Sequence, residues 1–151
     1  MRLKKIALSM LASALIICNT IPAFAAGWTS TKDGWKYDWG SGSYCENGWV
    51  QYKNHWFYFG SDQLLRTGWF QKDNTWYFAS DSGALQAGLI KVNGNVYYMD
   101  SNSLKLFTGS RNVDGNNFTF GEYGTTDGTP YVYSEWNSNG SLKRGTEHKV
   151  R

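Results

Sequence analysis

The chain has 151 residues, including 8 Trp, 10 Tyr, 8 Phe and 17 Gly, and carries a formal net charge of +3. This length predicts at most one small domain. Much of the apolar content is Trp and Tyr, set among Gly, Ser, Thr and Asn rather than in repeated long aliphatic runs, which excludes a polytopic membrane protein.

Residues 1–25 are typical of a secretory signal peptide. Three basic residues open the segment: Arg2, Lys4 and Lys5. The apolar stretch that follows, 6–18, is shorter than the roughly 20 residues of a spanning helix, so no membrane span is expected after cleavage. Ala23 and Ala25 occupy the small-residue positions of a cleavage site, which predicts Ala26 as the first residue of the mature, secreted chain.

The leader also explains the charge of the chain. Its three basic residues account for the difference between 15 Lys+Arg and 12 Asp+Glu, so the mature chain is balanced. A nucleic-acid partner is not expected, because the one local basic cluster is a short tail within 143–151, interpreted as solvated. Cleavage removes Cys18 and leaves Cys45 alone, which predicts no internal disulfide and either a free thiol or a dimer through Cys45.

From residue 27 onward the sequence repeats with a period of 20–21 residues, which predicts a repeat architecture. A glycine pair marks the start of each unit: Gly27-Trp28, Gly48-Trp49, Gly68-Trp69, Gly88-Leu89 and Gly109-Ser110. A second marker follows seven to nine residues later: Trp35-Lys36-Tyr37, Trp56-Phe57-Tyr58, Trp76-Tyr77-Phe78, Val96-Tyr97-Tyr98 and Phe118-Thr119-Phe120. The two markers together define five units.

Turn-forming residues lie between the markers of each unit, at Asp33-Gly34, Asn54-His55, Asp73-Asn74, Asn93-Gly94 and Asp114-Gly115. Such residues between short aromatic segments indicate β-hairpins. Because an isolated hairpin is marginal in water, the units are expected to stack as in a solenoid. The predicted fold is all-β, a solenoid-like stack of about five hairpins over 26–120, followed by a divergent terminal hairpin or cap and a basic tail over 121–151.

The third residue of the second marker is aromatic in every unit of this alignment: Tyr37, Tyr58, Phe78, Tyr98 and Phe120. It shares a strand face with the first residue of the marker, since side chains alternate between faces. Two interpretations are open for these aromatics, a hydrophobic core or one wall of a ligand site. The Trp pairs of the first three units favour ligand contact, because a hairpin face needs apolar bulk but not Trp in particular.

Units two and three carry a specific resemblance. Gly48-Trp49-Val50-Gln51 leading to Trp56-Phe57-Tyr58-Phe59, and Thr67-Gly68-Trp69-Phe70 leading to Trp76-Tyr77-Phe78, resemble the cell-wall-binding (choline-binding) repeats of Gram-positive secreted proteins. The resemblance weakens in unit four, where Leu89 and Val96 replace both tryptophans, and in unit five.

The resemblance implies a secreted, wall-associated protein that binds choline-substituted teichoic acid or another cell-wall glycan. A quaternary ammonium donates no ordinary hydrogen bond and is held by the faces of aromatic rings. In the family, two aromatics of one hairpin and a third from the next form each cage. Carried over to this chain, the resemblance implies three sites: Trp28, Trp35 and Tyr58; Trp49, Trp56 and Phe78; Trp69, Trp76 and Tyr98.

The sequence does not indicate catalysis, a metal or a cofactor. The two histidines, His55 at a predicted hairpin tip and His148 in the tail, have no partner at metal-ligand or triad spacing. The turn carboxylates are expected there for backbone reasons. We therefore predict a non-catalytic binding protein.

Two alternatives of other kinds stay open. Similar aromatic repeats in glucan-binding proteins and clostridial toxins imply stacking on sugar rings, with Gln51, Gln71 and Asn74 as hydrogen-bonding partners in a carbohydrate adhesin. The second alternative is a small secreted effector that acts through residues 121–151. Choline favours rings that close around a cation, whereas a sugar favours an open platform flanked by amides and carboxylates.

Overall fold

The computed structural model describes residues 26–128 and 133–147, with side chains described up to residue 143. The predicted signal peptide and the end of the basic tail lie outside the described residues. The first ten strands form five antiparallel hairpins: β1 (Gly27–Thr31) with β2 (Gly34–Asp38), β3 (Gly48–Tyr52) with β4 (His55–Phe59), β5 (Gly68–Lys72) with β6 (Thr75–Ala79), β7 (Gly88–Val92) with β8 (Asn95–Met99), and β9 (Gly109–Val113) with β10 (Asn116–Phe120). They are numbered hairpins one to five in chain order.

Each hairpin closes on a two-residue turn. In hairpins two to five both turn residues have positive φ, as the twist of a type I′ turn requires: Lys53-Asn54, Asp73-Asn74, Asn93-Gly94 and Asp114-Gly115. The predicted turn positions Asp33-Gly34 and Asn54-His55 are wrong by one residue, because the turns are Lys32-Asp33 and Lys53-Asn54. Gly34 pairs with Thr31 and His55 pairs with Tyr52, so both residues begin a strand and His55 does not occupy a hairpin tip.

The described chain divides into two compact units, with the boundary between Arg66 and Thr67. Length alone predicts one small domain. The first unit contains hairpins one and two, and the second contains hairpins three to five and the strands that follow. In each unit a leucine in the connector after one hairpin donates its backbone N–H to a tryptophan carbonyl of the hairpin before that one. Leu65 donates to Trp35, and Leu106 donates to Trp76, both at 2.9 Å.

Three further strands in the second unit extend hairpin four into a larger sheet. They are β11 (Thr125–Thr126), β12 (Ser134–Trp136) and β13 (Leu142–Glu147). The five-stranded sheet has the order β11-β8-β7-β12-β13, and β12 pairs with β7 in parallel. β12 and β13 pair with each other as a terminal hairpin, and this hairpin adds to the edge of hairpin four.

The core of the second unit combines hairpins three and four with the terminal hairpin. One cluster consists of Phe78, Ile90, Val92, Met99 and Trp136. Trp136 packs edge to face on Phe78, with ring centroids 6.0 Å apart. A second cluster consists of Tyr98, Phe118 and Phe120, with Leu89, Phe107 and Val113 packed against it. The C-terminal segment therefore supplies a core residue rather than only a cap.

The predicted all-β class and the succession of hairpin repeats are confirmed, and the described residues contain no helix. It follows that none of the described residues belongs to a helix long and apolar enough to cross a membrane. Cys45 forms no disulfide with another residue that the structure describes, and it is only 3% exposed. A dimer through Cys45 is not supported, because a disulfide between chains needs an accessible sulfur.

Candidate functional site

The register of hairpin three places two indole rings on one face. Trp69 pairs with Phe78, and Trp76 pairs with Gln71. Because alternate residues of a strand share a face, Trp69, Trp76 and Phe78 all project to the same side. The two indole ring centroids are 6.4 Å apart, with their planes at 86°. Trp76 is 44% exposed, so its ring is open to a ligand.

These two indole rings line a concave pocket of about 410 Å³ in the second unit, called here the aromatic pocket. Tyr97 of β8 forms a further wall, with its ring centroid 4.8 Å from that of Trp69 and the planes at 65°. Leu106 also lines the pocket, and its hydrogen bond to the carbonyl of Trp76 holds the connector in place. A pocket of this size fits a small organic ligand.

The remaining lining of the aromatic pocket comes from the turn between β10 and β11. Glu122 and Tyr123 both face the pocket from this turn. No sequence pattern marks either residue, because they lie outside the repeat and are more than forty positions from Trp76.

Hairpin four contributes Tyr97 to the aromatic pocket, whereas the sequence predicts Tyr98. Tyr98 is 5% exposed and packs against Phe107 and Phe120 in the second core cluster. Successive residues of a strand face opposite sides, so only one of the two tyrosines lies on the side of Trp69. A signal for Tyr97 exists in the sequence, since the middle marker position is also aromatic at Phe57 and Tyr77.

A cation of the chain itself already lies over Tyr98. The guanidinium carbon of Arg111 is 4.7 Å from the centroid of the Tyr98 ring and 5.2 Å from that of Phe107. Arg111 also forms an ion pair with Asp100 at 2.6 Å. Burial raises the pKa of Asp100, but hydrogen bonds from Ser103, Asn102 and Arg111 outweigh it and hold that pKa below its ordinary value.

The first unit repeats part of the aromatic pocket's geometry. The ring centroids of Trp28 and Phe57 are 4.8 Å apart, with planes at 73°, close to the arrangement of Trp69 and Tyr97. Trp35 is 48% exposed, as Trp76 is at the equivalent position. Tyr58, the predicted third wall, is 4% exposed and packs against Trp49 at 4.6 Å. Here too the middle aromatic of the next hairpin, rather than the third, contacts the first tryptophan.

The residues of the second predicted site belong to both units. Trp49 and Trp56 lie on one face of hairpin two in the first unit, where both are partly buried. Phe78 lies in the second unit and is completely buried in its core. As a binding set these three residues stay a prediction.

Hairpin five corrects the repeat alignment by one residue. β9 and β10 pair Ser110 with Thr119 and Gly109 with Phe120. In hairpin four the corresponding pairs are Leu89 with Tyr98 and Gly88 with Met99. Thr119 is therefore the equivalent of the buried third aromatic, and the aromatic third position holds in four hairpins rather than five. The turn at 114–115 sets the register, whereas the sequence alignment follows the aromatic character of residue 118.

The polar candidates from the sequence lie outside the aromatic pocket. Gln51 and Gln71 are exposed and pair with Trp56 and Trp76, and Asn74 is exposed in the turn of hairpin three. His55 is exposed at the start of β4. Among residues 26–128 and 133–143, no group of three or more His, Cys, Asp or Glu is placed to hold a metal ion.

The sequence profile of the cell wall binding repeat family matches residues 47–62, 67–85 and 88–102. These segments contain hairpins two, three and four. These three repeats match the family, so the resemblance found in the sequence is confirmed.

Solved structures with a similar fold include choline binding protein F from Streptococcus pneumoniae, with a TM-score of 0.60 and 24% identity over 80% of this chain and 41% of that chain. The multimodular pneumococcal cell wall endolysin from phage Cp-1, complexed with choline, has a TM-score of 0.56 and 25% identity over 88% of this chain and 41% of that chain. This chain thus spans about two-fifths of the length of these solved chains. The comparison with curated proteins gives no match.

Proposed function

We propose that this chain is a secreted, non-catalytic cell-wall-binding protein whose aromatic pocket holds the quaternary ammonium group of choline on teichoic acids. The observation that carries the proposal is the meeting of Trp69, Trp76 and Tyr97 around one concave space. A quaternary ammonium binds to the negative faces of aromatic rings, and each contact contributes roughly 0.5 to 2 kcal/mol. Leu106 supplies an apolar surface for the methyl groups.

The geometry of the aromatic pocket favours a cation over a sugar. Its rings stand at 86° and 65° to their neighbours, so they form the walls of a cage rather than one flat platform. Gln71 pairs with Trp76 but does not line the pocket, whereas Glu122 does. A carboxylate can accept hydrogen bonds from a sugar, but its charge also attracts a quaternary ammonium. The angles between the rings, rather than Glu122 alone, therefore favour a cation over a sugar.

Three further observations support a secreted, wall-binding role. The Trp28 and Phe57 contact in the first unit offers a second arrangement of the same kind, and weak sites linked in one chain raise avidity through effective concentration. The leader at 1–25 supports export. The phage Cp-1 endolysin, which is complexed with choline, has a comparable repeat fold.

The test is retention of the mature chain, 26–151, on immobilised choline, followed by elution with free choline. We expect retention and specific elution. The Trp76→Ala variant should bind choline at the aromatic pocket about threefold to thirtyfold more weakly, which corresponds to one lost cation–π contact. Isothermal titration with free choline measures this change.

Leu142→Ala is the matched control, since Leu142 is 56% exposed and does not line the aromatic pocket. This variant should be retained as the wild type is. Circular dichroism checks that each variant is folded. A folded wild-type chain that passes through the column, or that elutes with a soluble glucan and not with choline, would contradict the proposal.

A further inference from the structure

We propose that the turn between β10 and β11, residues 121–124, is the outer wall of the aromatic pocket and makes it selective for cations. Glu122 would supply the selecting charge and Tyr123 a fourth aromatic surface. This inference rests on the proposed function of the same pocket and names its specificity-determining residues. It also assigns a role to a segment that the repeat pattern leaves unexplained.

The backbone fixes this turn beside the pocket. The N–H of Gly121 donates to the carbonyl of Thr125 at 2.8 Å, and the N–H of Gly124 donates to the carbonyl of Gly121 at 2.9 Å. Thr125 then pairs with Tyr97 on β8, so one strand pairing ties the turn to a wall of the aromatic pocket. The two ends of the turn are thus held by β10 and β11.

Gly124 seats the turn against Leu106. Its φ is +72°, in the left-handed region that favours glycine. A Cβ at this position would lie 2.7 Å from the Leu106 Cδ1 atom, so the backbone of the turn packs directly on the leucine that lines the aromatic pocket. The backbone at Glu122 and Tyr123 is therefore held by the hydrogen bonds of the turn and by the packing of Gly124 on Leu106.

The carboxyl group of Glu122 is available for a ligand. Glu122 is exposed and lines the aromatic pocket, and its side chain forms no ion pair or hydrogen bond with the residues that the structure describes. A trimethylammonium group cannot donate a hydrogen bond to it, so the attraction is Coulombic and weakened by salt. Glu122 thus distinguishes a cation from a neutral ligand of the same shape.

Tyr123 is the most exposed of the large hydrophobic side chains in the described part of the chain, at 78%. Its ring contributes little to the core, yet it lines the aromatic pocket. Aromatic rings combine a large apolar surface with a cation-attracting face. Tyr123 therefore adds contact area for any ligand of the right shape, whereas Glu122 adds selectivity for charge.

The experiment compares choline with its uncharged isostere 3,3-dimethylbutan-1-ol on the full mature chain. The indole N–H resonance of Trp76, assigned with Trp76→Phe, reports the dissociation constant at this pocket alone. Glu122→Gln should weaken choline binding about threefold to tenfold at low salt and leave the isostere unchanged. In about 0.5 M salt the difference between wild type and variant should shrink.

Asp114→Asn is the matched control, because it removes the same charge from an exposed turn of the same unit that does not line the aromatic pocket. It should bind both ligands as the wild type does. Tyr123→Ala should weaken the binding of both ligands by a similar factor, whereas Tyr123→Phe should bind both as the wild type does.

Two results would overturn the inference and leave the proposed function intact. In the first, the wild type binds choline and Glu122→Gln binds it equally well. In the second, Glu122→Gln weakens both ligands alike, which would make Glu122 a structural residue. A wild-type Trp76 resonance that choline does not move would instead overturn the proposed function together with this inference.

Discussion

Hairpins three and four have the same length and the same register, but equivalent side chains are exposed in hairpin three and buried in hairpin four. Trp69 and Trp76 in hairpin three correspond to Leu89 and Val96 in hairpin four. Trp76 is 44% exposed, whereas Val96 is 7% exposed. One repeat geometry therefore serves as a candidate ligand site in one hairpin and as packed core in the next.

The difference has two physical sources. The side chains of hairpin four are smaller, and β11 pairs with β8 beside Val96, where hairpin three has no further strand in its sheet. Phe118 and Phe120 then fill the space against Leu89. A hairpin of this repeat is thus a candidate binding surface where it carries exposed large aromatics, as hairpin three does, and not where other segments pack on it, as in hairpin four.

The largest expected effect concerns the core that both hairpins share. Trp136→Ala should lower the free energy of unfolding by about 3–5 kcal/mol, because it removes a large buried ring that contacts Phe78 and leaves a cavity. Urea unfolding followed by circular dichroism measures the change. Leu142→Ala, at an exposed position of the same terminal hairpin, should change it by less than about 0.5 kcal/mol. If Trp136→Ala lowered the free energy of unfolding by less than about 1 kcal/mol, the hairpins would not depend on this segment.

A second variant tests whether a tryptophan alone converts hairpin four into a site. Val96→Trp should lower the free energy of unfolding by about 1–3 kcal/mol, because the larger ring does not fit beside β11. It should add no choline site in isothermal titration. Val96→Ile, which adds one methylene, should be tolerated better. If Val96→Trp gained a choline site without loss of stability, the identity of the side chain at this position, rather than the packing of β11 beside it, would decide whether hairpin four binds choline.

The smallest effect separates the connectors of the two hairpins. Asp100 begins the connector of hairpin four, where hairpin three has Ser80, which is bonded to Ser82. Because the pKa of Asp100 is lowered in the folded chain, its ionised form stabilises the fold above its ordinary pKa, and this contribution is lost as pH falls through the lowered value.

Between about pH 5 and about pH 2 the wild type should lose about 1 kcal/mol more than Asp100→Asn. Urea unfolding across this range measures the difference. Asp62, whose pKa is lowered mainly by its hydrogen bond to Arg66, has a side chain that is 48% exposed, so Asp62→Asn should show a smaller effect. Equal pH profiles for the wild type and Asp100→Asn would contradict the role of Asp100.

Local sequence was enough to predict the hairpins, their number and the tryptophans at the candidate site. The glycine and turn residues act on their own neighbours, so the 20–21-residue period and the Asp73-Asn74, Asn93-Gly94 and Asp114-Gly115 turns are visible in one dimension. The resemblance carried by units two and three then pointed to the repeat family that the profile match confirms.

Contacts between distant segments settled the rest. Whether Tyr97 or Tyr98 faces Trp69 depends on how hairpin four packs against hairpin three, and two adjacent aromatics look alike in the sequence. Trp136 enters the core through a parallel pairing with β7, and Glu122 reaches the aromatic pocket from a turn outside the repeat. Strand pairing and side-chain packing are properties of the folded chain as a whole, so no local pattern of residues specifies them.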